Sequence, residues 1–303
     1  ACPGSGRKTV SSTCSDAQPP RFAPGRPRLT KATPMRHDVI LVVLDGLNYS
    51  VAHDCMGHLQ ALCNAGRGQL YRLECELPSL SRPLYECILT GVRPIDSGIL
   101  HNDVSRLSNQ RSLFHYARDA GLTTAAAAYH WVSELYNCTP FDPARDRHTA
   151  DESLPIQHGH FYWTDHYPDS HLFTDAESLR RRHAPNCLLV HPMNIDDTGH
   201  KHGLGTPQYR NSARHADIIL SEYLHQWLAA GYQVMVTADH GMNDDRSHGG
   251  ILPEEREVPL FVFGEAFSLD DQARPRQVEL CGTLCEILGA PHDKPVCREL
   301  LKA

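Results

Sequence analysis

Residues 38–44, Asp-Val-Ile-Leu-Val-Val-Leu, form an apolar run rich in β-branched side chains that stops at Asp45-Gly46. Such a run marks a strand buried on both faces, which requires a sheet covered by helices on each side. Similar runs occur at Thr123–Tyr129, Cys187–Val190, Gln233–Thr237 and Val258–Phe263. Helical patterns separate them. The clearest is Tyr209, Ala213, Ala216, Leu220, Tyr223, Leu224 and Trp227, a core-facing stripe at three- and four-residue steps. Strands alternating with helices predict an α/β fold, a three-layer α/β/α sandwich around a largely parallel central sheet. In such sheets ligands bind beyond the carboxyl ends of the strands.

Acidic and imidazole groups gather at those ends. Asp45 follows the first strand, with Gly46 free to turn sharply, and Asp239-His240 follows Gln233–Ala238, with Gly241 behind it. Asp196 and His200, a DxxxH pair, lie shortly after Val190, and His248 opens an HGG. Any one of these has a bland explanation, since an Asp after a strand often caps the next helix. Their joint occurrence in this order does not. Carboxylates and imidazoles so placed can hold two borderline-soft divalent cations side by side. Such a pair clamps the attacking and leaving oxygens of an in-line displacement at phosphorus. Zinc suits the mixed ligand set best, with manganese the alternative. Two ions should lie about 4 Å apart.

Composition narrows the function little. A net charge of −7 and a pI near 6.3 give no global attraction to duplex nucleic acid or anionic membrane. No apolar run reaches the length of a membrane span, so a small-molecule phosphate ester is the expected partner. The 11 Cys include no CxxC pair and read as buried hydrophobes in a reducing compartment. Cytoplasm is therefore the expected location, although the chain does not begin with Met and a removed leader stays open. Residues 1–36 are basic and Pro-rich and cannot bury a core of their own, so they read as an extension to a catalytic domain at 37–303. Residues 141–173, dense in aromatics and His, read as a substrate-side insertion or an ordinary packed segment.

Between the first two acidic signatures runs Ser81-Arg82-Pro83-Leu84-Tyr85-Glu86-Cys87-Ile88-Leu89-Thr90-Gly91, then Val92-Arg93-Pro94-Ile95-Asp96-Ser97-Gly98-Ile99-Leu100-His101-Asn102. A hydroxyl residue two positions before a proline, a TG, a PxxxGI and an Asn, in this order and with the acidic motifs around them, resemble the alkaline phosphatase superfamily. Within it the chain is most similar to the nucleotide pyrophosphatase/phosphodiesterase family. The resemblance runs from about Asp38 to His248.

It implies that Ser81 is the nucleophile and forms a phosphoserine, and that Asn102 donates its amide to a phosphate oxygen. It further implies that Asp45, Asp239, His240 and Ser81 hold one cation, and Asp196, His200 and His248 the other. Metal coordination would activate an otherwise weak serine nucleophile, and a helix N-terminus with Pro83 in its first turn favours an anion. The expected activity is hydrolysis of a phosphate ester, leaning to diesters or pyrophosphates because Asn102 is a neutral donor. An inward-pointing Arg82 would instead favour monoesters or phosphonates, and a phospho-group transferase is the competing reading. Departures from the family are Ser81 in place of Thr, Leu84 in place of Asn, and a short chain. His248 also follows His240 by only eight residues, a spacing closer to the phosphoethanolamine-transferring branch. Asp197 and His202 are expected to be support or solvent-facing, and Glu86, one turn into the helix, an ordinary helical Glu or a support residue.

Overall fold

The structure, a computed structural model, describes residues 36–302. The proposed N-terminal extension, apart from its last residue, lies outside them. Eight strands form one sheet: β1 Val39–Val43, β2 Gly68–Glu74, β3 Thr124–Tyr129, β4 His148–Ala150, β5 His158–Tyr162, β6 Cys187–Val190, β7 Gln233–Thr237 and β8 Glu257–Phe263. Their order is β2-β8-β7-β1-β6-β3-β5-β4. β7, β1, β6, β3 and β5 run parallel, while β2 and β8 pair antiparallel at one edge and β4 folds back on β5 at the other. β1, β3, β6 and β7 are buried at every residue, so helices cover both faces, as the continuous apolar runs predict. The fold is the expected α/β sandwich, with a mixed, mostly parallel sheet.

β2, β4 and β5 are not apparent from apolar runs. β2 reads Gly-Gln-Leu-Tyr-Arg-Leu-Glu, an edge strand half open to solvent, and β5 carries His158, Gly159 and His160. Residues 141–173 supply β4 and β5 and open the helix Asp169–His183, so this segment completes the sheet edge and is continuous with it.

Parallel strands deliver their carboxyl ends to one side, and specific bonds hold the site there. Leu44 N–H donates to Thr237 O at 2.8 Å and Asp45 N–H to Pro192 O at 3.2 Å, which pins the end of β1 between those of β7 and β6. Gly46 adopts φ +72°, and a Cβ on it would sit 2.9 Å from Asp196 Cα. Only glycine satisfies both the left-handed turn and that approach. The helix Pro207–Ala229 buries the stripe from Tyr209 to Trp227, with Thr206 capping its first turn. Its Tyr209 hydroxyl accepts Asn48 N–H at 3.0 Å and donates to Gly46 O, bracing the turn from below.

The helices Asp169–His183 and Asn194–His202 are joined at their starts by a reciprocal pair. Asp169 N–H donates to Asn194 Oδ1 at 3.0 Å, and Asn194 N–H to Asp169 Oδ1 at 3.2 Å. Burial raises the Asp169 carboxyl to about 7. Its stabilising contribution is therefore present below the unfolded value near 3.8 and is lost as pH rises through about 7. Asp169→Asn keeps the acceptor without the charge. Its stability relative to the parent, from denaturant melts, should increase between pH 5 and pH 8 by on the order of 1–3 kcal/mol. An offset independent of pH would contradict this.

Candidate active site

Ser81 opens the helix Ser81–Thr90, whose ten residues are all buried and which ends at Gly91 in the left-handed conformation. The N-cap residue, Leu80, supplies no side-chain cap. Pro83 has no N–H and Arg82 N–H donates to Asn102 Oδ1 at 3.0 Å, which leaves Ser81's own N–H as the one early donor of the helix without an acceptor among the described residues. That is fewer backbone donors than a helix N-terminus ordinarily offers. The same bond orients Asn102: with Oδ1 occupied, its amide Nδ2 is the free end and can donate.

Ser81 Oγ lies 3.0 Å from His240 Nε2. His240 Nε2 lies 3.4 Å from Asp45 Oδ1 and 3.2 Å from Asp239 Oδ2. A second group adjoins it: His200 Nε2 is 3.4 Å from Asp196 Oδ2, His248 Nε2 is 3.6 Å from Asp196 Oδ1, and the two imidazole nitrogens are 3.1 Å apart. The His240 and His248 rings stack with centroids 3.7 Å apart. Asp45, Asp239 and His240 converge tightly enough to share an ion, as do Asp196, His240 and His248. His240 is common to both groups, and His200, expected in the second, belongs to neither, although its Nε2 lies beside Asp196 and His248.

Three observations test whether cations fit. First, Asp45 Oδ1, Asp196 Oδ1 and Asp239 Oδ2 are buried without a hydrogen-bond partner, an expensive condition unless something positive faces them. Second, a backbone carbonyl can only accept, and each imidazole gives its Nδ1–H to one: His240 to Gly241 O at 2.8 Å, His200 to Arg246 O at 3.0 Å and His248 to Ser79 O at 2.8 Å. All three Nε2 lone pairs are thereby presented inward, the arrangement found around metal-bound histidines. Third, the carboxyls repel one another. Asp239 is pushed well up by burial and by the charge of Asp45, and Asp196 is raised by the same two causes. The donor set fits two divalent cations.

Three supports were not apparent from the sequence. His191, buried directly after β6, donates Nε2–H to Asp45 Oδ2 at 3.2 Å and accepts Tyr129 N–H on Nδ1 at 3.4 Å. This is the opposite tautomer to the three inward histidines, so His191 holds Asp45 and offers no lone pair to the site. Tyr85 donates to the same oxygen, and its ring meets His191 edge-on at 4.4 Å. Burial works to raise Asp45, yet His191, the charge of His240 and Tyr85 hold it down at about 2. The four-residue spacing of Tyr85 from Ser81 on one helix face was the available signal. Ser79 joins the two loops, accepting His248 Nδ1–H on its carbonyl and Gly249 N–H on Oγ at 3.0 Å.

Other positions differ in what they touch. Asp197 pairs with Lys201, and His202 is exposed, as expected of residues outside the cluster. Glu86 is not an ordinary helical Glu. It is fully buried, accepts from Ser108 Oγ and, at 3.0 Å, from Tyr136 Oη, and burial raises its carboxyl. Arg82 does not point freely toward phosphate; it is held by Glu134 at 2.7 Å.

A profile of the type I phosphodiesterase/nucleotide pyrophosphatase family matches residues 39–252. The chain belongs to that family. Among curated relatives it is 22% identical to human GPI ethanolamine phosphate transferase 2, catalytic subunit, over 90% of this chain and 28% of that protein. It is 26% identical to the Schizosaccharomyces pombe GPI ethanolamine phosphate transferase 2 over 84% of this chain and 37% of that one. The chain thus spans about a third of the length of these relatives. Murine ectonucleotide pyrophosphatase/phosphodiesterase 5, in complex with AMP, superposes with a TM-score of 0.69 at 14% identity, over 88% of this chain and all of that one. A 2-O GAG sulfatase gives 0.57 at 16% identity, over 86% of this chain and 72% of that one. These likenesses establish the alkaline phosphatase-like fold. Among the described residues no helix is long and apolar enough to cross a membrane.

Two outcomes follow for this phosphodiesterase-family site. Asp239→Asn retains the acceptor for Gly46 N–H, 3.1 Å away in the parent, and removes a charge that burial disfavours. Because the parent carboxyl is raised, its stabilising contribution is lost as pH rises. In chelator at pH 8 the variant should melt about 4 °C or more above the parent, and added zinc should raise its melting temperature much less than it raises the parent's. A lower melting temperature in chelator together with the full zinc effect would refute the ligand role. Tyr85→Phe should keep the fold and weaken zinc binding, measured by chelator competition, by about tenfold.

Proposed function

We propose that this family member is a phosphodiester-cleaving enzyme in which Ser81 attacks phosphorus in line and carries the group as a phosphoserine, and that an alcohol then accepts it. The observation that carries this reading is the seating of Ser81 Oγ, 3.0 Å from His240 Nε2, at a helix start where Asn102 is turned to donate. In the first half-reaction the Ser81 Oγ–P bond forms and the ester O–P bond breaks. The Ser81 proton is lost and the departing alcohol gains one. In the second half-reaction the acceptor oxygen bonds phosphorus, its proton is released, and Ser81 Oγ leaves and is reprotonated.

Divalent cations, zinc first and manganese second, held by Asp45, Asp239, His240 and Ser81 and by Asp196, His200 and His248, would supply positive charge at the attacking and leaving oxygens. Asn102 Nδ2 and the Ser81 N–H donate to the non-bridging oxygens. A diester presents one negative charge there and a monoester up to two, so neutral donors suit the diester. Transfer to an alcohol is supported by the sequence relatives, whose names specify ethanolamine phosphate transfer. The eight-residue step from His240 to His248 points the same way. Ethanolamine phosphate is accordingly the group we assign. Hydrolysis is the second reading, favoured by one observation: the His200 side chain is 46% exposed, so water reaches that end of the site.

Product analysis separates the two. With a phosphoethanolamine diester as donor and glycerol as acceptor, phosphorus NMR should show a new diester. Free ethanolamine phosphate alone would establish hydrolysis. Ser81→Ala should keep fold and metal and lose about a thousandfold or more in turnover. Substantial residual turnover in that variant would remove Ser81 from the nucleophile role.

A further inference from the structure

Arg82 follows the nucleophile directly, and a cation there would favour a doubly charged phosphate. Its surroundings prevent that. The guanidinium is 3% exposed and its Nη2 donates to Glu134 Oε2 at 2.7 Å, Glu134 itself being 8% exposed. Its Cζ stands 4.7 Å from the centroid of the Trp131 ring, and Nη1 reaches Val104 O at 3.4 Å. Nε is buried without a partner. The second Glu134 oxygen accepts Phe141 N–H at 3.0 Å. Glu134 and Trp131 both lie on the helix His130–Tyr136, which follows β3. One short helix therefore both neutralises the arginine and seats it against an aromatic face.

We propose that Glu134 is a specificity-determining residue. By compensating Arg82 it keeps the neighbourhood of Ser81 electrically suited to a singly charged diester and unfavourable to a monoester dianion. The inference rests on the diester reading above. It has a physical basis independent of turnover: a buried charge that loses its partner is left uncompensated, and its field then acts on whatever lies nearby in a low-dielectric setting. Arg82 N–H is bonded to Asn102 Oδ1 and its Nη1 reaches Val104 O, two residues further on, so the uncompensated charge would lie along the segment that carries Asn102.

The test compares Glu134→Gln, Arg82→Gln and the double variant, all metal-loaded. Glu134→Gln removes the charge and keeps an oxygen for one of the two donors, Phe141 N–H or Arg82 Nη2, while its amide NH2 meets the other. The ratio of kcat/KM on aryl phosphate to that on bis(aryl) phosphate should rise about tenfold in E134Q, the order expected of one newly uncompensated charge near phosphorus. It should return to the parent value in the double variant, and Arg82→Gln alone should not raise it. Binding supplies a readout that does not depend on catalysis. On a Ser81→Ala background, E134Q should bind inorganic phosphate about tenfold tighter relative to dimethyl phosphate. A folded E134Q protein with both ratios within about twofold of the parent overturns the proposal, as does a rise that survives in the double variant. Parent protein that turns over neither ester would defeat the functional reading, while the binding ratio still decides the role of Glu134. Should E134Q fail to fold, Glu134→Asp, which keeps the charge but shortens its reach to Arg82, should shift both ratios in the same direction by a smaller factor, and no shift would count against the proposal.

Discussion

Three carboxylates, Asp45, Asp196 and Asp239, are buried within a few ångströms of one another, each with an oxygen that no hydrogen bond satisfies. Like charges in a low-dielectric interior cannot all ionise without compensation. The response of the site is uneven. Asp45 stays ionised because His191 and Tyr85 grip its outer oxygen, and its charge then pushes Asp239 and Asp196 upward. Such an assembly is unfavourable alone and favourable around divalent cations. Its geometry therefore makes sense as a cation cradle, and stability and metal loading become one quantity.

The sheet makes this convergence possible. Adjacent parallel strands end side by side, and the order β7-β1-β6 places Asp239 and Asp45 just past neighbouring strand ends and Asp196 in the first turn of the helix that follows β6. The turn at Gly46 closes the remaining gap. It approaches Asp196 too closely for any Cβ, and its N–H holds Asp239 at 3.1 Å. One glycine thus touches two of the three acids and directly follows the third. The need for glycine here is mechanical: a Cβ would force Asp196 away from the turn that carries Asp45.

Much of this was legible in the sequence, for a definite reason. The central strands are buried on both faces and so read as unbroken apolar runs, and Asp45 and Asp239-His240 stand directly after two of them. The edge strands β2 and β4, and β5 next to β4, were not legible, because half-exposed or histidine-bearing strands lose the apolar run that marks a strand. Nor were the supports. His191 is one imidazole among 20 in the chain, and only its contact with Asp45 distinguishes it. The burial of Glu86 and the capture of Arg82 by Glu134 depend on pairings 50 or more residues apart, with Tyr136 and Glu134 brought to the Ser81 helix by the turn after β3. No local pattern encodes a partner at that separation.

Imidazole tautomers tie the loops to the chemistry. His240, His200 and His248 each spend Nδ1–H on a backbone carbonyl, and those carbonyls belong to Gly241, Arg246 and Ser79. The bonds do two things at once. They fold the segment after β7 against the turn that precedes Ser81, and they leave every Nε2 with a lone pair facing the acids. His200 Nε2 and His248 Nε2 then confront each other at 3.1 Å, which is repulsive between two lone pairs and favourable only with a proton or a cation between them. A proton can serve on its own, since Asp196 holds His200 up at about 9 while burial drops His248 to about 4. It leaves the orphaned oxygens of Asp45 and Asp239 unsatisfied. A divalent cation at each group answers every one of these demands together, and the loop bonds that position the imidazoles are the same bonds that fold the loops.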